Sequence, residues 1–516
     1  MSSPSLEAVD RHDDRHTTIT FAPGDPSNPR NFPSWRKWLI VSAITLVDLS
    51  VSWAASGFSP ATEDFEKDFN VSAEVGVLGL SLYVLGLAFG PMTLAPLSEY
   101  YGRTVMYVVP YGIFLLFLLG TALVRNLGGF LVLRILSGLF SSVTIANFGG
   151  TIADLWPRDQ VGPAMSLFLW AAVCGSPTGY FLLSFVAGKR PWRHVFWALL
   201  GICSGFWLIM TVTLVGFGNE TRHSVLLRRR AARLRKERND SGLEVPDEMK
   251  QRSLAQLFRV TLSRPFRFLA TEAIVLFASL YNGYLYGLSF LFNGAFNLVF
   301  GSEGYGFETI GVGLCFIGFI LGVSLGPVVN MWQERRYQRS IRNASNTSST
   351  ASLVPGDAAT AEEDHFRNMP EARLQLGKIA GVLFPISLFW FAWTSVPSYN
   401  IHWMVPILAT ALFGFSFYTL ILMSYLYVED SYMIFSASAL AGVGLVRNLA
   451  GAGFPLFGTQ MFENEGYNWA GTILACLALL LAPIPYVLER YGVRLRARSP
   501  YARQHMDDVD GKDDED

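Results

Sequence analysis

The sequence predicts an all-α integral membrane protein, and three observations carry that prediction. About a dozen apolar stretches, each roughly 20 residues long, run from Trp38 to Glu489, and a hydrocarbon core about 30 Å thick takes about 20 residues of helix to cross. Inside lipid such a segment can satisfy its backbone only by bonding to itself, which makes each stretch helical. The composition agrees: 51% of residues are hydrophobic and 16% charged, with 39 Phe and 13 Trp to suit lipid-facing surface and interfacial belts. Finally, the stretches fall into two sets of six around a long polar segment, the pattern of a chain built from an internal repeat.

The first six spans are placed near 38–58, 74–97, 105–124, 129–153, 163–186 and 195–217. The second six lie near 268–292, 308–330, 375–396, 401–426, 433–460 and 468–488. The chain therefore divides into a tail at 1–37, a bundle at 38–217, a linker at 218–267, a bundle at 268–489 with a polar loop at 331–374, and a tail at 490–516. The first 33 residues contain no apolar core, so no cleavable signal peptide is expected and the first span targets the chain.

Charge sets the sidedness. Arg222, Arg228, Arg229, Arg230, Arg233, Arg235, Lys236 and Arg238 crowd the linker. Arg335, Arg336, Arg339 and Arg342 follow the eighth span, and Arg490, Arg494, Arg496 and Arg498 the twelfth. Basic flanks mark the cytoplasmic side, so both termini are expected there. Lys189, Arg190 and Arg193, between spans five and six, run against this assignment. The segment from Glu220 to Arg238 reads as a helix, residues 340–366 and the acidic tail after Asp507 as disordered. Cys174, Cys203, Cys315 and Cys476 are scattered through apolar spans and read as small hydrophobes. Asn70 of Asn70-Val71-Ser72 is a glycosylation candidate in the loop after span one, whereas the sequons at Asn219, Asn343 and Asn346 fall on the cytoplasmic side.

Several motifs follow one another in a telling order. Ala95-Pro96-Leu97-Ser98-Glu99-Tyr100-Tyr101-Gly102-Arg103 stands between spans two and three, Leu133-Arg134-Ile135-Leu136-Ser137-Gly138 in span four, and Asn147 to Trp156 after it. Glu220-Thr221-Arg222-His223-Ser224-Val225, Pro370 to Leu374, Pro385 to Ser395, Ser436 to Ala441 with Arg447-Asn448, and Gly453 to Gly458 come later. Over roughly residues 28–500 the chain resembles the major facilitator superfamily, in its fungal branch of twelve-helix drug:proton antiporters. The resemblance implies two six-helix bundles related by pseudo-twofold symmetry, proton-coupled efflux of small amphipathic compounds (drugs, toxins, secondary metabolites or polyamines), and a Glu99–Arg103 pair that latches the halves across the turn at Gly102. It also implies Arg134 as a participant in proton coupling. Span five departs from the branch: Gly175-Ser176-Pro177-Thr178-Gly179-Tyr180 replaces expected prolines and sets a bulky Tyr180 among small residues. Gly175, Pro177 and Gly179 remain hinge candidates.

Charge inside the membrane costs about 2.5–3.5 kcal/mol even on the mild insertion scale, so each instance needs a reason. Asp48 stands near the middle of span one and either alternates between a proton and a cationic substrate or rests hydrogen-bonded to a neighbouring helix. Arg134 stays protonated, and polarises a carboxylate, anchors an anionic substrate, or is itself anchored on backbone carbonyls. Arg447, Glu429 and Asp430 are gating candidates. Trp53, Asn147, Tyr281, Asn282, Tyr284, Tyr286, Asn293, Phe417, Tyr418 and Tyr425 are candidates for lining a substrate cavity, aromatic and amide groups being suited to an amphipathic ligand. The expected partners are a small molecule, protons and the bilayer. The chain is expected to act as a monomer in the plasma membrane or the vacuolar membrane. No phosphate-binding loop, metal cluster or nucleic-acid patch is present in the sequence, so no cofactor, ATP or enzyme chemistry is expected. Proton-coupled uptake and a transport-inactive sensor or scaffold are the alternatives.

Overall fold

A computed structural model describes residues 9–13, 16–22, 24–157, 160–238, 243–245, 253–302, 304–351, 370–371, 373–396, 399 and 401–502. Among the described residues, twelve apolar helices, α1 to α12, are long enough to cross a membrane. In the first half they are α1 Ser34–Ser56, α2 Ala73–Tyr101, α3 Arg103–Leu123, α4 Leu127–Leu155, α5 Gly162–Ala187 and α6 Arg193–Gly216. The second half contains α7 Ala273–Phe300, α8 Thr309–Arg335, α9 Gln375–Thr394, α10 Met404–Tyr432, α11 Ser436–Glu465 and α12 Tyr467–Arg498. Every predicted span is present. The seventh starts later than expected, because Leu254–Thr271 forms a separate helix and the chain turns extended at Glu272 before α7.

The two halves repeat one another in how their helices touch. Gly86 of α2 lies against Leu139 of α4, where a Cβ would come 2.7 Å from the Leu139 amide nitrogen. In the second half Gly322 of α8 meets Ala411 of α10, with 2.7 Å from that Cβ to the Ala411 carbonyl carbon. Gly175 and Gly179 bring α5 onto α1, just as Gly287 and Gly458 bring α7 and α11 together. Apolar helices gain nothing from hiding from lipid, so close backbone approach through small residues supplies their packing.

The ends carrying residue 102 and the linker form one side, the linker end; the other is the far end. At the linker end the helix His223–Arg238 begins slightly later than expected. Its Leu227 and Ala231 pack with Val245 and Phe21, and Arg230 pairs with Asp25 at 2.6 Å. Three short strands, β1 Val9–Asp13, β2 His16–Ile19 and β3 Leu243–Glu244, form a small sheet, with β2 antiparallel to β1 and parallel to β3. Disorder from residue 340 is corrected in part: the helix of α8 runs on to Ala351, since a helix already nucleated in the membrane extends cheaply. The rest of that stretch, most of the loop at 331–374 and the acidic tail lie outside the described residues.

The basic loop that disagreed with the assigned sidedness has local partners. Arg193 pairs with Asp68 at 2.7 Å, and the Trp192 indole donates to the same carboxylate at 3.0 Å. The Trp192 amide donates to Asp64 at 2.8 Å. The acidic helix Thr62–Phe69 thus offsets this positive charge.

Candidate functional site

Asp48 sits at the centre of the molecule, 1% exposed. Its Oδ1 accepts a hydrogen bond from Thr144 Oγ1 at 2.8 Å, and Oδ2 has no protein partner. Thr144 follows Ser142, where α4 is interrupted between Leu127–Ser141 and Val143–Leu155. From the second half comes Arg447 of α11, whose charge acts on Asp48. Its Nη1 donates to the Tyr425 hydroxyl at 2.7 Å, and its guanidinium lies 4.6 Å from the centre of the Tyr286 ring. One half thus supplies a carboxyl and the other a cation in an aromatic cradle, both buried.

α7 adds two buried amides nearby in sequence. Asn282 donates to the Ala278 carbonyl at 2.7 Å and leaves its Oδ1 unpartnered, while neither amide atom of Asn293 has a partner. Buried amides without partners are uncommon and can serve a ligand as donors and acceptors. Tyr281 is buried beside them in sequence.

Arg134 is fully buried and bonded to backbone alone among its hydrogen bonds: Nε to the Gly79 carbonyl at 2.5 Å, Nη1 to Ala54 at 2.9 Å and Nη2 to Ala55 at 3.4 Å. Ala54 and Ala55 stand in the last turn of α1, where carbonyls lack helical partners. Tyr83 covers the guanidinium at 4.6 Å. These backbone bonds are those the anchor reading requires.

The expected Glu99–Arg103 latch is corrected. Glu99 is exposed, and Arg103 turns inward to Ser98 at 2.7 Å, Asn147 at 3.3 Å and Asp154 at 3.4 Å. Gly102 adopts φ +103°, which favours glycine, and a Cβ there would meet the Glu220 carboxylate at 2.6 Å. That carboxylate accepts from the amides of Arg103 at 2.9 Å and Thr104 at 3.2 Å, capping α3. Arg222 joins Asp154 at 3.7 Å. The acid that serves Arg103 is thus on α4, because the tight turn directs Arg103 into the bundle. Asn147 Oδ1 belongs to this network, while its Nδ2 is buried without a partner.

The second half has its own network. Arg373 bridges Glu334 at 2.6 Å and Asp430 at 3.0 Å, and Arg496 pairs with Glu371 at 2.7 Å. Asp430 therefore holds its own half together, and Glu429 lies beside it in α10. Nearby Tyr432 donates to buried Glu272 at 2.9 Å.

Other cavity candidates disperse. Tyr284 donates to the Leu474 carbonyl of α12, away from the centre. Trp53 donates to Thr178 of α5 at 2.8 Å, and Phe417 stacks on Phe413 at 5.7 Å. Tyr418 crosses the halves to Ser166 at 2.6 Å. Gly175, Pro177 and Gly179 lie within an unbroken α5, and the glycines serve as contact surface for α1, where a Cβ on Gly179 would come 2.8 Å from Trp53 Cα. The unexpected Tyr180 stacks on Phe316 of α8 at 4.4 Å, sealing the seam between the halves at the far end. Asn70 is exposed there in left-handed conformation. Tyr286 and Tyr425, both among the aromatic candidates of the sequence, are the ones set around Arg447, whereas Thr144 was beyond what spacing could assign to the centre, and nothing in the sequence paired Glu334 with Arg373.

A family model described as Major Facilitator Superfamily matches residues 44–455. The chain is 36% identical over 489 residues to the major facilitator-type transporter sorT of Penicillium rubens, covering 94% of this chain and 88% of that one. It is 36% identical over 486 residues to the major facilitator superfamily multidrug transporter mdrA of Aspergillus fumigatus, covering 94% and 76%. Its backbone matches the E. coli proton:xylose symporter XylE with a TM-score of 0.59 at 14% identity, covering 89% of this chain and 96% of that one. At that identity the likeness bears on the fold alone.

Proposed function

The chain belongs to the major facilitator superfamily, a family of transporters rather than enzymes, and from that premise we propose that it exports small amphipathic compounds in exchange for protons. The observation that carries the reading is Asp48: a carboxyl at mid-membrane with one oxygen unpartnered, set against the charge of Arg447 from the opposite half. A buried carboxyl is costly when ionised and alone, so proton binding and an ion-pair partner are alternative ways to accommodate it.

In this reading the two halves rock about the central seam as a monomer. A proton arrives at Asp48 from the far end, taken as the outside, and substrate loads from the linker end, taken as cytoplasmic together with both termini. Asn282 and Asn293 bond the polar groups of the substrate, and Tyr286 faces its apolar or cationic part. The relatives named as multidrug transporters support efflux of such compounds, and a plasma-membrane location fits that task best.

The test is transport in inside-out vesicles with an acid interior and a panel of labelled amphipathic cations. Accumulation should collapse with an ionophore and be lost in Asp48→Asn. Gradient-driven accumulation that survives in Asp48→Asn would move the proton site elsewhere, and none for any compound on the panel would sink the export reading.

A further inference from the structure

Ahead of α7 stands the helix Leu254–Thr271, opened by Ser253, whose Oγ accepts from the Gln256 amide at 3.3 Å. It lies against α2 of the first half and α11 of the second. Leu269 packs on Ala88 and Met92 from α2 and Leu445 from α11. The Pro265 carbonyl comes 3.3 Å from where a Cβ on Gly442 would stand. With Leu257, Pro265 and Phe268 buried as well, the inner face of the helix is fully occupied.

The outer face divides lengthwise. At about 3.6 residues per turn, Leu262 and Phe266 share one edge, 41% and 52% exposed. Ser263 and Arg267 share the other edge, and Arg259 stands between the two, all three exposed. Water suits the basic edge and not the apolar one, and a packed core would suit neither. A helix set at the membrane surface, with one edge towards acyl chains and the other among headgroups, accommodates both.

Arg264 continues the basic edge, half-buried with its guanidinium 5.7 Å from the centre of the Phe435 ring, and Arg267 lies 5.8 Å from that of Tyr501. Tyr501, beyond the last span, is itself stacked on Phe268 at 4.5 Å and edge-on to Phe435 at 5.3 Å. The rings hold two guanidinium groups in place without neutralising them. Arg230, Arg373 and Arg496 at the same end are each matched by an acid, whereas among the described residues no carboxylate pairs with Arg259, Arg264 or Arg267. Positive charge left uncompensated beside a bilayer attracts anionic headgroups.

We infer that the outer face of this helix is a docking surface for anionic phospholipids. Arg264 and Arg267, one turn apart, clasp one headgroup phosphate, Arg259 takes a second, and acyl chains lie along Leu262 and Phe266. Planar guanidinium groups suit phosphate oxygens, which they bond in pairs. Because the helix rests on α2 and α11 together, a lipid held there bears on both halves. Lipid docking is independent of what the chain transports.

Electron paramagnetic resonance of the full chain in phosphatidylcholine vesicles, with a trace of spin-labelled phosphatidylserine or of spin-labelled phosphatidylcholine, measures which lipid the protein surface retains. The serine lipid should be retained at least twofold over the choline lipid. Arg259→Gln/Arg267→Gln, at two exposed positions, should lose at least half of that excess. Arg229→Gln/Lys236→Gln removes the same charge from exposed positions of the linker helix and should keep it. In the unaltered chain, where no folding defect can enter, photoactivatable phosphatidylserine should crosslink within Leu254–Thr271. Equal retention of the two lipids, or crosslinks confined to other segments, would overturn the docking surface. An equal loss in both double variants would overturn it by showing diffuse attraction to all the basic charge at this end. Release of the serine lipid by inorganic phosphate at constant ionic strength would overturn it in favour of a soluble anion as occupant.

Discussion

Arg134→Met separates an anchor from a proton-coupling group, because the two roles predict different losses. In the structure Arg134 donates to the Ala54 and Ala55 carbonyls at the end of α1 and to Gly79 of α2. Removing it leaves two helix-end carbonyls buried without donors, at about 1–3 kcal/mol each, and deletes a cation at a helix C-terminus worth up to about 2 kcal/mol. Against this, a guanidinium no longer has to be taken out of water, which returns several kcal/mol. The net is a loss of roughly 1–3 kcal/mol of stability, small beside what its gross bonds suggest. Unfolding by sodium dodecyl sulfate in mixed micelles reads that loss directly. Vesicle transport per folded molecule reads the coupling, which should still collapse with an ionophore. A variant as stable as wild type whose transport ignores the proton gradient would refute the anchor reasoning and return Arg134 to the coupling machinery.

Three further outcomes follow from the same geometry. Asp154→Asn strips Arg103 of its buried acid and should cost about 2–4 kcal/mol, whereas Glu99→Gln on the exposed surface should stay within about 0.5 kcal/mol; thermal unfolding of the two variants would show the reverse if the latch ran through Glu99. Gly86→Leu and Gly322→Leu, at equivalent crossings, should each abolish a monodisperse folded species in size-exclusion chromatography, and tolerance of either would break the argument from repeated packing. Burial alone would raise the Asp25 carboxyl, but hydrogen bonds from Ser27 and Arg230 hold it below its ordinary value of 3.8. A depressed carboxyl stabilises above the unfolded value and loses that contribution as pH falls through the folded one. A spin label at Ala22 should therefore stay immobile from neutrality down to the ordinary carboxylate range and loosen only below it, with Arg230→Ala loose throughout.

Helix number, order and the two-halved plan were legible in the sequence, because lipid forces one backbone solution and hydropathy reports it. The turn at Gly102 was legible too, for a glycine there permits a tight reversal. Side-chain destinations were less so. Glu99 and Arg103 stand four apart and looked like a pair, yet the turn at Gly102 sends Arg103 to Asp154, 51 residues on. Tyr284 and Tyr286 are two positions apart in α7, so they point to different sides of the helix: one reaches α12, the other Arg447. Aromatic content alone carries no phase, and only the packing of neighbours decides which of such residues faces the centre. Asp48 was conspicuous by position alone, while Thr144, its partner, was an ordinary threonine until α4 was laid against α1.

The ion pairs named above have a common property: Arg103 with Asp154, Arg193 with Asp68, Arg373 with Glu334 and Asp430, and Arg496 with Glu371 all join residues of the same half. Among the described bonds that cross between halves three are neutral, Ser166 with Tyr418, Trp170 with Ser324, and Asn448 with the Leu87 carbonyl, and one, exposed, runs from the Gln460 amide to the Glu74 carboxylate at 3.2 Å. Neutral hydrogen bonds contribute about 0.5–1.5 kcal/mol apiece, so parting these three is within reach of thermal fluctuation and should depend little on ionic strength. Each half is stiffened by its own electrostatics, and the joint between them is loose. Asp48 and Arg447 come from opposite sides of that joint, and in the export reading a proton on Asp48 is what would change how the two halves hold together.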